Sequence, residues 1–247
     1  MKIFGIIPAR FASKRFPGKM LAPILGKSLI QRTYENALAS DCFDRLFVAT
    51  DDEKIAELMR SCGGEVIMTS PACNNGTERI GDALKKEPLL QQAEILVNVQ
   101  GDHPCIEKKT IQAVIEAILE DQEAVVSTAV SPIKEEGEIF SSHVVKCIFD
   151  QKNRALYFSR SPIPYHSACH KNGQVCYYSH LGIYAYRLSF LPTYLKLPDT
   201  PLQKSEDLEQ LKVLEHGYKI KVAIVEEKIL GVDIPDDIRK VEEVLCR

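Results

Sequence analysis

Between Ile7 and Lys19 the chain reads IPARFASKRFPGK, which sets Arg10, Lys14, Arg15 and Lys19 on one short stretch with Ser13, Pro17 and Gly18 among them. A guanidinium offers a planar fork to phosphate oxygens, and a lysine offers a mobile point charge. Glycine lets a backbone approach such a ligand closely. No Asp or Glu occurs before Glu35, whereas Lys2, Arg10, Lys14, Arg15, Lys19, Lys27 and Arg32 do. The first 34 residues therefore carry +7 in a chain whose net charge is −3, which leaves −10 for the remainder. Surface charge is usually mixed in sign. A loop this uniformly cationic reads as a polyanion site, with a solvated basic loop as the plain alternative.

A second group is acidic. Asn98-Val99-Gln100-Gly101-Asp102 closes an apolar run with a Gly-Asp turn, and Gly231-Val232-Asp233 precedes a helical pattern expected to start at Pro235. Mg²⁺ favours one or two protein carboxylates together with phosphate oxygens and water, so Asp102 and Asp233 are candidate ligands. Asp102 also suits a plain turn, and Asp233 a helix cap. Thr77-Glu78-Arg79 follows Asn74-Asn75-Gly76 and offers backbone N–H groups and a hydroxyl at a helix start, for a phosphate or simply as a cap. Arg160 lies between Phe158, Pro162 and Ile163, where a mostly buried guanidinium needs an anion, either a ligand carboxylate or a structural Asp or Glu. His180 sits mid-strand, where histidine is more often structural. Glu209-Gln210 lies in a helical pattern that also suits plain surface. No Walker P-loop, Gly-x-Gly-x-x-Gly fingerprint, His-Glu-x-x-His or Gly-x-Ser-x-Gly occurs.

The elements that must position these residues follow from hydrophobic periodicity. Lys2–Ala9, Arg45–Asp51, Glu65–Thr69 and Ile95–Asp102 are short, apolar and rich in Val, Ile or Phe, as buried strands are. Helical patterns over Lys27–Ser40, Asp52–Cys62, Thr77–Lys86 and Glu107–Glu120 alternate with them. That alternation predicts a parallel sheet with right-handed crossovers and ligands at the strands' carboxyl ends. The Arg10 loop, Asp51-Asp52 and Gly101-Asp102 all fall there. From about residue 123 consecutive strands, Ala124–Val130, Val144–Phe149, Ala155–Ser159 and Tyr177–Tyr186, predict an antiparallel extension for substrate contacts, a dimer surface or both. Helices over Ser205–Gly217 and Pro235–Leu245 flank a strand at Lys219–Val225.

The 247 residues suit one α/β domain with an elaboration. An apolar fraction of 45% and a charged fraction of 26% are ordinary for a soluble domain. Mild net acidity argues against a nucleic-acid coat protein. Eight scattered cysteines, with no Cys-x-x-Cys pair or zinc spacing, fit reduced thiols in a cytoplasmic protein. The first apolar run breaks at Pro8, so no signal-peptide core is expected, and no apolar stretch reaches membrane-span length.

In order along the chain, IPARFASKRFPGK, NVQGD, GTER, YFSRSPIP, HLGIYAYR, LEQLK and GVDIPDD closely resemble the 3-deoxy-manno-octulosonate cytidylyltransferases, from Ile6 to about Val241. The resemblance implies a nucleotide-diphospho-sugar-transferase-like, Rossmann-like α/β fold in one domain over 1–247. It implies a CTP-binding core over 1–122, a sugar-binding and dimerising extension over about 123–200, and a return to the core over 201–247. It implies Mg²⁺-dependent formation of CMP-Kdo and pyrophosphate from CTP and 3-deoxy-manno-octulosonate (Kdo), for lipopolysaccharide, by a cytoplasmic homodimer. Arg10, Ser13, Arg15 and Lys19 would hold the CTP phosphates, with Thr77 and Arg79 shaping the nucleotide site. Asp102 and Asp233 would ligate Mg²⁺, and Gln100, Arg160, His180, Glu209 and Gln210 would face the sugar acid. Lys19, Asp102 and Asp233 would carry the catalysis, with the metal activating the anomeric hydroxyl and Lys19 stabilising departing pyrophosphate. The chain departs from the family at His103, where Glu is usual, and over Gln203-Lys204-Ser205-Glu206. A cytidylyltransferase for another acidic sugar, such as a sialic acid, and a non-catalytic nucleotide sensor are the competing readings.

Overall fold

The computed structural model describes residues 1–13, 16–73, 75–166, 176–226 and 228–246. Among them, nine strands form one sheet: β1 (Ile3–Ala9), β2 (Arg45–Thr50), β3 (Glu65–Met68), β4 (Ile95–Asn98), β5 (Ala124–Pro132), β6 (Lys146–Phe149), β7 (Ala155–Ser159), β8 (Tyr178–Arg187) and β9 (Lys219–Ile224). Their order is β9-β5-β8-β4-β1-β2-β3, with β6 branching from β8 and carrying β7. The β4-β1-β2-β3 side is parallel throughout, as the alternating pattern predicts. The principal crossover helices are α1 (Leu29–Ala39), α2 (Glu53–Ser61), α3 (Gly76–Lys86) and α4 (Lys108–Glu120).

Both faces of the sheet are covered, which is why its strands read as continuous apolar runs. In β1, Phe4 and Ile6 enter the core shared with Ile80 and Leu84 of α3. Ile7 and Ala9 enter the opposite core, shared with Ile30 and Tyr34 of α1, Ile55 of α2 and Ile111 of α4. The helices start where short polar side chains satisfy their first amides. Ser28 Oγ accepts from Gln31 N, Asp52 Oδ1 from Lys54 N and Ile55 N, and Asn75 Oδ1 from Glu78 N.

The expected antiparallel portion continues the sheet beyond β4 through β8, which lies between β4 and β5 and is antiparallel to both. Two expectations need correction. The helix expected over Ser205–Gly217 is broken into Pro201–Glu206 and Gln210–Glu215. Asp207 separates them with φ 53, a left-handed conformation that Asp tolerates better than most residues. The last helix starts at Asp237 rather than Pro235, and Asp237 Oδ2 accepts from the amides of Asp233 and Ile234. The seven described cysteines are unpaired, and no described helix is long and apolar enough to cross a membrane.

Candidate active site

The carboxyl ends of β1 and β4 open on a cleft of about 670 Å³. Arg10, Ser13, Lys19, Arg79, Gln100, Asp102, Arg160 and Asp233 line it, so the structure gathers eight of the sequence's candidates on one surface. Lys14, Arg15 and Asn74 lie outside the described residues. Ser13 Oγ accepts from Phe16 N at 3.4 Å. Gly18, at φ 69, then starts the single turn Lys19–Leu21. This positive φ, cheap only for glycine, brings the Lys19 side chain inward until it is 8% exposed.

Lys19 Nζ lies 2.6 Å from Asp102 Oδ2 and 3.7 Å from Asp233 Oδ1. The two carboxylates are 131 residues apart in sequence, and the main chain joins their loops: Val232 N donates to Asp102 O at 3.0 Å. Val232 is fully buried with Ile24, Leu29 and Val241, which anchors that loop. The Gly101 turn is fixed by Thr33 Oγ1, which donates to Gly101 O at 2.9 Å. A β-carbon on Gly101 would meet Pro8 O at 2.9 Å, so close approach of β1 explains the glycine. Asp233 is not the cap of the last helix, the role the sequence left open for it; its side chain is half exposed towards the cleft.

Burial alone would raise the Asp102 carboxyl, but His103 and Lys19 beside it outweigh burial and hold it below its usual range. His103 occupies the position where Glu is usual. Its Nε2 is 3.8 Å from Asp102 Oδ1, and a β-carbon on Gly231 would come within 3.2 Å of its ring. Burial lowers the imidazole's pKa, with Asp102 pulling the other way.

Arg79 is buried, and its guanidinium is committed within the protein. Nη2 donates to Asp51 Oδ2 at 2.9 Å and Nη1 to Thr69 Oγ1 at 2.6 Å, tying α3 to the ends of β2 and β3. Asp51 Oδ1 also accepts from Phe11 N, so Arg79 braces the cationic loop from behind. The anion expected at Arg160 is not a structural carboxylate. Its guanidinium donates to the main-chain oxygens of Ser142, Glu206 and Asp207, and it lines the cleft.

Thr77, His180, Glu209 and Gln210 are not on that lining; they form a layer beneath and beside it. Thr77 is fully buried and donates to Glu209 Oε2 at 3.0 Å, so its hydroxyl is used internally. Burial raises the Glu209 carboxyl despite that hydrogen bond. Gln210 Oε1 accepts from Tyr184 OH at 3.2 Å, while its Nε2 is buried without a partner. His180 packs on Phe158 and Tyr184, with ring centroids 5.0 and 5.4 Å away. Thr128 Oγ1 spends its one hydrogen on Ile183 O, so the 2.9 Å contact with His180 Nε2 requires the ring to donate. That fixes the Nε2–H tautomer and leaves Nδ1 as an acceptor.

Burial pulls His180 down to about 3. The unfolded chain protonates it near its ordinary pKa of about 6.5. Between those values the unfolded state binds the extra proton, so stability is full above about pH 6.5 and falls as pH drops towards 3. At pH 5 the loss attributable to this ring is about 2 kcal/mol. In His180→Gln, which cannot titrate, the fall in Tm between pH 7 and pH 5 should be visibly smaller than in the parent. Equal falls would show that the ring is not held neutral.

The cleft also includes Cys73, Asn75 and Asp207, which the sequence reading did not nominate. Asn75 was visible as the residue before Gly76. Asp207 was hidden inside an apparently continuous helix.

This geometry has known counterparts. The family model described as cytidylyltransferase matches residues 4–224. A "3-deoxy-manno-octulosonate cytidylyltransferase" from Protochlamydia amoebophila (strain UWE25) is 54% identical over 247 residues, covering 100% of this chain and 95% of the relative. The mitochondrial protein of that name from Arabidopsis thaliana is 48% identical over 244 residues, covering 99% and 83%. A solved CMP:2-keto-3-deoxy-manno-octonic acid synthetase complexed with CTP superposes with a TM-score of 0.92 at 35% identity, covering 100% of this chain and 99% of that one.

Proposed function

The chain belongs to the 3-deoxy-manno-octulosonate cytidylyltransferase family, and from that premise we propose that it transfers the cytidylyl group of CTP to Kdo, releasing pyrophosphate. The observation that carries this reading is the convergence of Lys19, Asp102 and Asp233 in one cleft that Arg160 also lines. The names of full-length relatives and the CTP complex of a similar structure support it.

The reaction brings an anionic sugar to an anionic nucleotide. Charge and orientation are therefore the main work of the protein. Arg10, Ser13 and Lys19 face the phosphate end, with the loop braced by Asp51 and Arg79. Arg160 offers a guanidinium to the sugar carboxylate, and Gln100 lines the same cleft. Asp102 and Asp233 are the residues that would hold Mg²⁺. Two carboxylates already share one cation, the Lys19 ammonium, and both have solvent-reachable oxygens, so the donor set suits a hard divalent ion completed by phosphate oxygens and water. Such an ion would neutralise the triphosphate and make the sugar hydroxyl more acidic. Lys19 is placed to follow the negative charge that accumulates on pyrophosphate. The product is an activated sugar suited to lipopolysaccharide assembly.

Pyrophosphate release measured across nucleotides and acidic sugars tests the assignment. CTP with Kdo and Mg²⁺ should be the productive set, and chelation should stop it. Equal turnover with ATP or UTP, or turnover with a sialic acid but not Kdo, would overturn the substrate reading.

A further inference from the structure

We propose that Lys146 is a positioning residue for Arg160: its buried ammonium fixes the loop whose carbonyl orients the Arg160 guanidinium. This rests on the reading of Arg160 as the ligand for the sugar carboxylate.

Lys146 is fully buried at the start of β6. Its Nζ donates to Ser141 O at 2.9 Å, Val144 O at 2.7 Å and Arg160 O at 2.5 Å. The three protons of the ammonium thus have three acceptors, and among the described residues no carboxylate lies within ion-pair distance of it. Burying an ammonium that makes no direct ion pair is costly, and Glu206, the opposite charge that acts on it, does so only at longer range. A methionine of similar length would fill the same space without that cost, so packing alone does not explain the charge. What the charge does is hold carbonyls from two separate segments, the 141–144 loop and the end of β7.

Arg160 depends on both segments. Its Nη1 donates to Ser142 O at 2.9 Å, and Ser142 lies between the two loop carbonyls that Lys146 pins. Its Nε donates to Glu206 O at 2.9 Å on the other side. The Arg160 main chain is held at both ends: its N–H donates to Glu206 Oε2 at 2.9 Å, and its carbonyl accepts from Lys146. Glu206 Oε1 meanwhile accepts from Ser159 Oγ at 2.6 Å, which completes the frame. A planar guanidinium recognises a carboxylate only when its fork is aimed correctly. Releasing the 141–144 loop removes one of the contacts that aim it.

A double-mutant cycle tests this. The KM for Kdo at saturating CTP, the Kd for CTP and the Tm are measured for Lys146→Met, Arg160→Met and the double variant. Lys146→Met should raise the KM for Kdo about 10-fold or more while CTP affinity stays within about twofold. Arg160→Met should raise it at least as far, and the double variant should be no worse than Arg160→Met alone. A Lys146→Met effect of undiminished size in the Arg160→Met background would overturn the proposal, as would a lower Tm with an unchanged KM for Kdo. An unchanged KM in Arg160→Met would overturn both this proposal and the carboxylate reading of Arg160. If Lys146→Met does not fold, Lys146→Gln enters the same cycle, because its amide can still bridge one of the three carbonyls.

Discussion

Asp102→Asn is expected to lower kcat by roughly 10²-fold or more, with a much smaller effect on CTP affinity. The substitution keeps shape and removes only charge. The Asp102 carbonyl still accepts from Val232 N, and Gly101 is still held by Thr33, so the loop carrying Asp233 keeps its place. What is lost is half of the acidic pair that faces Lys19. A carboxylate that ligates a catalytic ion acts where charge develops, so its removal falls on turnover. The loss should be deepest at limiting Mg²⁺ and partly recovered as Mg²⁺ rises. Near-parental activity at limiting Mg²⁺ would reduce Asp102 to a turn residue and counter-ion for Lys19. Asp233→Asn serves as a second arm, because its half-exposed side chain leaves little stability at stake.

The parallel half of the fold was legible because both sides of its strands are buried. β1, β2, β3 and β4 each produce a short apolar run whose ends fall within a few residues of the observed bounds. Their carboxyl ends therefore announced the cleft. The place of β8 was not legible, because strand order depends on which neighbours complete the sheet and not on any local pattern. The break at Asp207 was hidden for a different reason: apolar spacing continues across it, and the chain leaves the helix through the left-handed backbone of Asp207. The meeting of Asp102 and Asp233 is a tertiary event, made by the Val232–Asp102 hydrogen bond and the burial of Val232.

Single residues show the same limit. Arg79, which the resemblance assigns to shaping the nucleotide site, lines the cleft with its fork bonded to Asp51 and Thr69. Arg160 was read as needing an anion, a ligand carboxylate or a structural Asp or Glu; its guanidinium meets main-chain carbonyls instead of a structural carboxylate, and a sequence cannot show where carbonyls point. Thr77 and Glu209, far apart in the chain, satisfy one another. In each case residue type set the chemical need, and the fold chose which neighbour met it.

Lys19→Met should separate two roles that one ammonium performs. In the free protein Lys19 is the counter-ion of Asp102 and Asp233. It is also a buried cation on the lining of the cleft proposed to take the triphosphate. Methionine keeps the length and apolar stem, so the single turn Lys19–Leu21 should survive. Losing the charge leaves two carboxylates facing each other. The stability cost should be about 2 kcal/mol, below the 3–5 kcal/mol of a fully buried pair because Asp102 is 26% exposed and solvent screens it. Turnover should fall about 10²-fold, as when a group that stabilises developing negative charge is removed. Metal affinity should move the other way. A divalent ion binding the free parent must displace or repel the ammonium, whereas in Lys19→Met the carboxylates are unopposed. The rise in Tm produced by Mg²⁺ or Mn²⁺ without nucleotide should therefore be larger in Lys19→Met than in the parent, even as activity is lost. A metal-induced rise equal to the parent's would show that the two carboxylates do not form a cation site. Unimpaired turnover would show that Lys19 only balances their charge.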